Sequence, residues 1–277
     1  HRCHMKGTWD QTNVLYQEGI DSVLIGRSGY TQIVVVSDCY FGGSLSPARD
    51  CTFTSSDTGA HTFNYRENIG GRSGVRIIQC EDLKIINNYF GNHNASNIVA
   101  VLAAESVNLA WVIAGNHIDA CRDGAGINIR TAIDGVFING VSITDNIFNG
   151  ELQTKHAIIL YNQYGNNPAV TNFSILGNTF QAFVGTPLLI YHARGGSISS
   201  NTINGYNALG CSAGGDYQFA SAIFVSEKAE WVVCNGNIFG GAINSCTPSA
   251  YCYHGIIKSA TLPTPATITI TNNSFIQ

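Results

Sequence analysis

Charge is scarce in this sequence. Fourteen Lys and Arg against 18 Asp and Glu make charged side chains 12% of 277 residues, about half the share of an ordinary soluble domain. That excludes a coiled coil, a nucleic-acid-binding arm and a charged disordered tail. A net charge of -4 gives no electrostatic reason to invoke DNA or an anionic membrane. Met occurs once, against 30 Gly and 27 Asn, a balance that disfavours helix and favours turns and extended chain. The longest apolar stretch, 98–115, is interrupted by Glu105, Ser106 and Asn108, which makes it too polar to span a membrane. No apolar segment of a secretory signal follows the first charges. The nine Cys form no CxxC pair and no zinc-like spacing with His. Cys39 and Cys234 lie in apolar runs, where a reduced thiol packs as a small hydrophobe; a bridge among Cys211, Cys246 and Cys252 is the alternative. His4, His61, His93 and His254 show no ligand-like spacing. No Walker or dinucleotide fingerprint is present, so no cofactor and no metal are expected.

What the chain does contain is a repeat, and a period of 20 to 50 residues decides an architecture. Seven segments share one pattern: LKIINNYF, WVIAGNHI, VSITDNIF, FSILGNTF, GSISSNTI, VVCNGNIF and ITITNNSF. They place Asn at 88, 116, 146, 178, 201, 237 and 273, and an eighth copy, VVVSDCYF, carries Cys39 there. Five and three residues before the Asn the chain is mostly apolar, as in Leu83 and Ile85, Trp111 and Ile113, or Val141 and Ile143, the period-two face of a strand. Two residues after it stands Phe or Ile: Phe90, Ile118, Phe148, Phe180, Ile203, Phe239, Phe275. The residue just before it is Asn87, Gly115, Asp145, Gly177, Ser200, Gly236 or Asn272, types that mostly tolerate positive φ. This predicts a one-residue left-handed corner that turns the following Asn inward. Stacked from coil to coil, the amides can satisfy one another, as buried polar groups must.

A second strand recurs between the corners: GVRIIQ, NIVAVLA, GINIRT, HAIILYN, PLLIYHA, SAIFVSE and HGIIKSA. Coils of uneven length with constant strand motifs predict parallel stacking at about 4.8 Å per coil. With this repeat the chain resembles the right-handed parallel β-helices of the pectate-lyase and phage-tailspike superfamily, over about residues 30–277. The fold expected is therefore all-β, a single-stranded right-handed parallel β-helix (solenoid) with an internal asparagine ladder. One domain over 1–277 is expected, with 1–30 an irregular leading segment and a degenerate coil between Cys39 and Asn88. The chain stops just after an Asn corner and shows no capping helix, so the reading expects a segment of a longer polypeptide, or ends covered by another domain or subunit.

Aligning the second strands puts Arg130, Tyr161, Tyr191, Ser226 and Lys258 at equivalent outward positions, with Thr131, Asn162, His192, Glu227 and Ser259 one residue further on. Aromatic faces and guanidinium forks on a polar ridge suit a sugar chain. Insertions before this strand bring Asp119, Arg122 and Asp123, then Glu151, Lys155 and His156, then Asp216 and Tyr217. Carboxylates on adjacent coils lie roughly 5 to 10 Å apart, a span that covers retaining and inverting glycosidases. Asp123 with Glu151 is the simplest catalytic pair, with Asp216 or Glu227 as substitutes. A lyase would draw its base and its cation from Arg130, Lys155, His156, Tyr161 and Tyr191.

The sequence lacks the Arg-centred signature and the calcium-binding Asp cluster of the secreted pectate lyases, and the paired Asp of the polygalacturonases. The resemblance then points most to the tailspikes. It implies a polysaccharide depolymerase, hydrolase or lyase, that recognises and cleaves a bacterial capsule or O-antigen, as a homotrimer on a virion tail. It implies neither a nucleic-acid partner nor membrane insertion. A secreted pectin-lyase-like lyase or hydrolase, and a noncatalytic carbohydrate-binding fibre, are the alternatives.

Overall fold

The computed structural model describes residues 3–6, 23–25, 32–42, 52–53, 63–64, 74–77, 80–91, 93, 96–102, 108–121, 124–131, 133–162, 165, 167–206, 221–226, 228–241, 254–258 and 268–275. One coil shows how the chain is laid out. Asn108–Ala114 lies in a first sheet, here sheet C, His117–Ile118 in sheet A, and Ala125–Thr131 in sheet B. The next coil adds Ile138–Thr144, Ile147–Asn149 and His156–Asn162 to the same three sheets. Every pairing between coils is parallel, for example Ile113 beside Ile143 and Ile129 beside Leu160. Among the described residues, sheet A has nine strands, and B and C have eight each. Parallel crossovers of this kind are right-handed, and the result is the β-helix that the repeat predicts.

The corner between sheets C and A is where the sequence was most explicit. Asp38, Asn87, Gly115, Asp145, Gly177, Ser200, Gly236 and Asn272 all take φ between 52° and 68°. Each bends the strand by one left-handed residue and delivers the next side chain inside. Asn146 shows the resulting ladder in full. Its backbone N–H and its Nδ2 both donate to Oδ1 of Asn178 at 3.0 Å, and Nδ2 also donates to the Ile113 carbonyl at 2.9 Å. Its own Oδ1 accepts the backbone N–H and Nδ2 of Asn116, each at 2.9 Å. Each amide thereby fills two donor and two acceptor positions in the core. The same pattern links Asn88, Asn116, Asn146, Asn178, Asn201, Asn237 and Asn273. Beside the ladder run the Phe of the repeat: Phe41 stacks on Phe90 with centroids 4.6 Å apart, and Phe148 on Phe180 at 4.9 Å.

Two expectations about the early coils are corrected. The 49 residues from Cys39 to Asn88 hold no degenerate coil in the ladder, because the Cys39 N–H donates directly to Oδ1 of Asn88 at 2.9 Å. The extra length is an insertion that includes the antiparallel pair Thr52–Phe53 and Phe63–Asn64. Nor is 1–30 only an irregular lead: Cys3–Lys6 pairs with Cys39–Gly42 in sheet A, and Val23–Ile25 joins sheet B.

A second left-handed column was not anticipated. In sheet C, Asp82, Ala110, Gly140, Asn172, Gly195 and Trp231 take φ between 52° and 85°. It puts two consecutive residues on the outside, as Thr171 and Asn172 between buried Val170 and Phe173. Cys39, Cys80, Cys121 and Cys234 are buried. Burial pushes the Cys80 thiol up to about 11 and that of Cys234 to about 12, so both act as packing groups. Cys211, Cys246 and Cys252 lie outside the described residues.

Candidate functional site

Alternate residues of sheet B face away from the core. Arg76, Val99, Asn128, Ile159, Leu189 and Phe224 share one such row, and Val101, Arg130 and Tyr161 the next. The exposed ridge expected from the sequence is corrected here. Val99 and Val101 are 1% and 7% exposed and form an apolar cluster apart from the main core. Arg130 is only 9% exposed, so the outward side of the sheet is covered at these positions and the cation is held away from bulk water, whereas Ile159, Tyr161 and Tyr191 on the next coils are half-buried. Burial of a charge is tolerated where it meets compensating groups.

At the end of these strands, where sheet B turns toward sheet C, three coils converge. The rings of Tyr161 and Tyr191 meet edge to face at 5.6 Å, Tyr161 lies 5.4 Å from the His192 ring, and Tyr191 lies 5.6 Å from Phe224. His192 is buried and its Nδ1 accepts the backbone N–H of Asn162 at 3.0 Å. In the neutral ring the proton is therefore on Nε2. The Asn162 side chain donates to Oδ1 of Asp134 at 3.0 Å, and Asn167 donates to the other carboxylate oxygen at 2.9 Å. These hydrogen bonds hold the Asp134 carboxyl below its usual range, because they favour the ionised form. Gly165 leaves room for this arrangement: a Cβ at that position would overlap the Asp134 carboxylate and push it aside. Ser226 donates to the Tyr191 carbonyl and closes the corner.

The structure thus gathers Arg130, Tyr161, Asn162, Tyr191 and His192 along one edge, as the alignment of strands implied, and adds Asp134 and Asn167. Asp134 was missed because it sits in the turn after its strand, where a lone carboxylate has no sequence signature. Other predicted residues fall elsewhere. His156 begins the strand that Tyr161 nearly ends, so the two stand roughly 16 Å apart. Its buried Nδ1–H donates to the Thr186 carbonyl at 2.7 Å, and burial pushes its pKa down to about 4. Glu151 is exposed in the turn before that strand, at φ 48°, and is not brought to Tyr161 either. Lys258 is corrected by one position. The pairing of Ser221 with His254 runs on to Val225 with Lys258, so Lys258 shares the row of the core residues Leu160, Ile190 and Val225 rather than that of Ser226. Asp123, Asp216 and Glu227 lie outside the described residues, as do Arg122 and Tyr217.

A separate cluster occupies the outer face of sheet A. The Tyr89 hydroxyl donates to one oxygen of Asp119, and His117 Nε2–H donates to the other at 2.9 Å. The two rings lie 5.2 Å apart. A Cβ on Gly91 would stand 2.8 Å from the Tyr89 ring, so glycine there lets the phenol reach across. The carboxylate fixes the imidazole tautomer and leaves the Nδ1 lone pair available. Among the described residues, no group of three or more His, Cys, Asp and Glu could hold a metal ion.

No protein-family model matches the chain, and no curated protein matches it by sequence. Among solved structures it is similar to a mutant of DFA-IIIase from Arthrobacter chlorophenolicus, with a TM-score of 0.44 and 16% identity over 79% of this chain and 50% of that one. The same enzyme's mutant in complex with DFA-III aligns with a TM-score of 0.39 and 13% identity, over 97% of this chain and 71% of that one. The chain thus spans half the length of the first of these structures.

Proposed function

We propose that this β-helix binds a polysaccharide along the corner between sheets B and C and cleaves it there. The observation that carries the reading is the convergence of Tyr161, Tyr191 and His192, from neighbouring coils, beside Asp134. Aromatic rings offer apolar faces to the C–H faces of sugar rings, and coils about 4.8 Å apart suit a chain of pyranose units laid along the axis. Asp134, held ionised, serves as the proton acceptor, activating water in a hydrolase or removing the proton beside a uronic carboxylate in a lyase. The Asn162 and Asn167 amides orient that carboxylate, and Arg130 supplies positive charge from the neighbouring coil, in the row of Tyr161.

In its finer form the proposal is a tailspike-type depolymerase: a homotrimer on a virion tail, acting on a bacterial capsule or O-antigen. The test is incubation of the purified protein and its Asp134→Asn variant with bacterial capsules, O-antigens and plant pectins. Chain shortening and near-ultraviolet absorbance are followed, and the oligomeric state is measured. Shortening of a bacterial glycan by a trimer, abolished in the variant, supports the proposal, and the absorbance separates lyase from hydrolase. A monomer that cleaves pectin overturns the tailspike form in favour of a secreted enzyme. Binding without cleavage makes the protein a recognition fibre.

A further inference from the structure

Trp231 breaks the rule of its own column. Four of the other five left-handed positions of sheet C are Asp82, Gly140, Asn172 and Gly195, types that accept positive φ with little strain. An indole at φ 53° is an outlier, and Trp231 is also 60% exposed, so it returns little burial to the fold. Trp111 shows what the fold gains from an indole elsewhere: it is 1% exposed and its Nε1–H donates to the Cys80 carbonyl at 2.7 Å. Strain combined with exposure marks a position kept for something other than stability.

The surroundings indicate what that is. Arg194, paired in register with Glu230, donates through Nε to its carboxylate at 2.7 Å and places its guanidinium carbon 5.7 Å from the centre of the Trp231 ring. On earlier coils of the same rail, Asn172 Nδ2 donates to Asn139 Oδ1 at 2.8 Å, and the Thr171 hydroxyl reaches the same oxygen at 3.3 Å. An aromatic plate is thus bordered by charged groups, with amide and hydroxyl groups further along the same column on earlier coils, all on the outside of one sheet.

We propose that Trp231 is the stacking platform of a second saccharide site, on the outer face of sheet C, with Arg194 and Glu230 bonding to ring hydroxyls. The cation and the carboxylate cancel, so the site takes a neutral pyranose chain rather than a uronate. It rests on the reading that the ligand is a polysaccharide, but not on cleavage. A platform away from the cleaving corner holds a long chain on the protein between events at that corner, since tethering at one site raises the local concentration at the other.

The experiment follows tryptophan emission while the full chain is titrated with neutral gluco-, galacto- and manno-hexasaccharides, alongside Trp231→Gly and Trp231→Ala. At least one sugar gives a saturable change that both variants lose. Because glycine suits the left-handed position, Trp231→Gly melts at or above the temperature of the parent protein. A Trp231→Gly variant that melts several degrees lower makes the indole a structural element and overturns the proposal. So does the lack of any response to the three sugars, or a Trp231-dependent dimer on gel filtration. The titration is repeated on Tyr161→Ala with Tyr191→Ala. Emission that still responds there confirms a separate site even if no glycan is ever cleaved, whereas a response lost with the two tyrosines leaves only one site.

Discussion

The backbone N–H of Asn162 donates to Nδ1 of His192 at 3.0 Å while its side-chain amide holds Asp134 at the same distance. One asparagine therefore ties an imidazole on the next coil to a carboxylate on the previous one. Asn167 is the exposed partner of that carboxylate and can be altered without opening the core. Removing its amide lets the Asp134 carboxyl rise toward its ordinary value. For a base that must be ionised, the acid limb of the cleavage profile then moves up in pH. Asn167→Ala is expected to show this shift with an unchanged melting temperature. An acid limb that stays in place would show that Asp134 is not the group that titrates.

The ladder makes a graded stability prediction. Asn146→Leu leaves the Asn116 N–H and Nδ2, the Ile113 carbonyl and Oδ1 of Asn178 short of partners inside the core. With about 1–3 kcal/mol for each stranded buried group, the loss is expected to reach about 3 kcal/mol or more. Asn273 stands at the last described corner, itself half-buried between exposed Asn272 and Ser274, so water can replace its amide toward Asn237. Asn273→Leu is expected to lose only about 1 kcal/mol. Equal losses in urea unfolding would mean that the column does not stabilise through its amides.

How much of this was written in the sequence follows from which residues tolerate which backbone. The first corner was legible because its column is Gly, Asn, Asp or Ser just before an Asn, so a conformational requirement left a compositional trace. The second column left a fainter one, since Ala110 and Trp231 occupy it. Its only signal was an apolar spacing of three inside a strand, as in Ile138 and Val141 or Val170 and Phe173. The edge of Arg130, Tyr161, Tyr191 and His192 was legible because register in a β-helix is fixed by inward alternation. The displacement of Lys258 by one residue shows the weakness of the same argument, since a slip of one exchanges inside for outside. Burial of Arg130 was not legible at all. It depends on what covers sheet B, and alternation describes only the sheet itself.

Acid should unfold this protein through two buried histidines. His93 and His156 are both buried, and desolvation lowers each from 6.5 to about 4, with Lys155 adding to the effect on His156. Each ring is neutral in the folded state down to about pH 4 but takes up a proton below 6.5 once unfolded. The unfolded state then binds more protons, and stability falls as pH drops from 6.5 toward 4, by on the order of 3 kcal/mol for each ring. Above pH 6.5 neither contributes a slope. Urea midpoints measured between pH 7.5 and 4 are expected to follow this course, and His156→Gln is expected to flatten it by roughly half. A slope unchanged in that variant would place the acid sensitivity elsewhere.

The tyrosine pair carries the binding prediction. Tyr161 and Tyr191 are half-buried and touch edge to face at 5.6 Å, so each is both a ligand contact and a support for the other. With about 1 kcal/mol for each aromatic contact, the double change Tyr161→Ala with Tyr191→Ala is expected to weaken polysaccharide binding about thirtyfold and leave the chain folded. Because the rings touch, the single changes should not add: the cycle of four proteins is expected to show a coupling of about 0.5 kcal/mol or more. Additive losses would mean that the sugar contacts the rings independently. Binding that survives the double change undiminished would move the polysaccharide away from this corner, to the outer face of sheet C where Arg194 lies over Trp231.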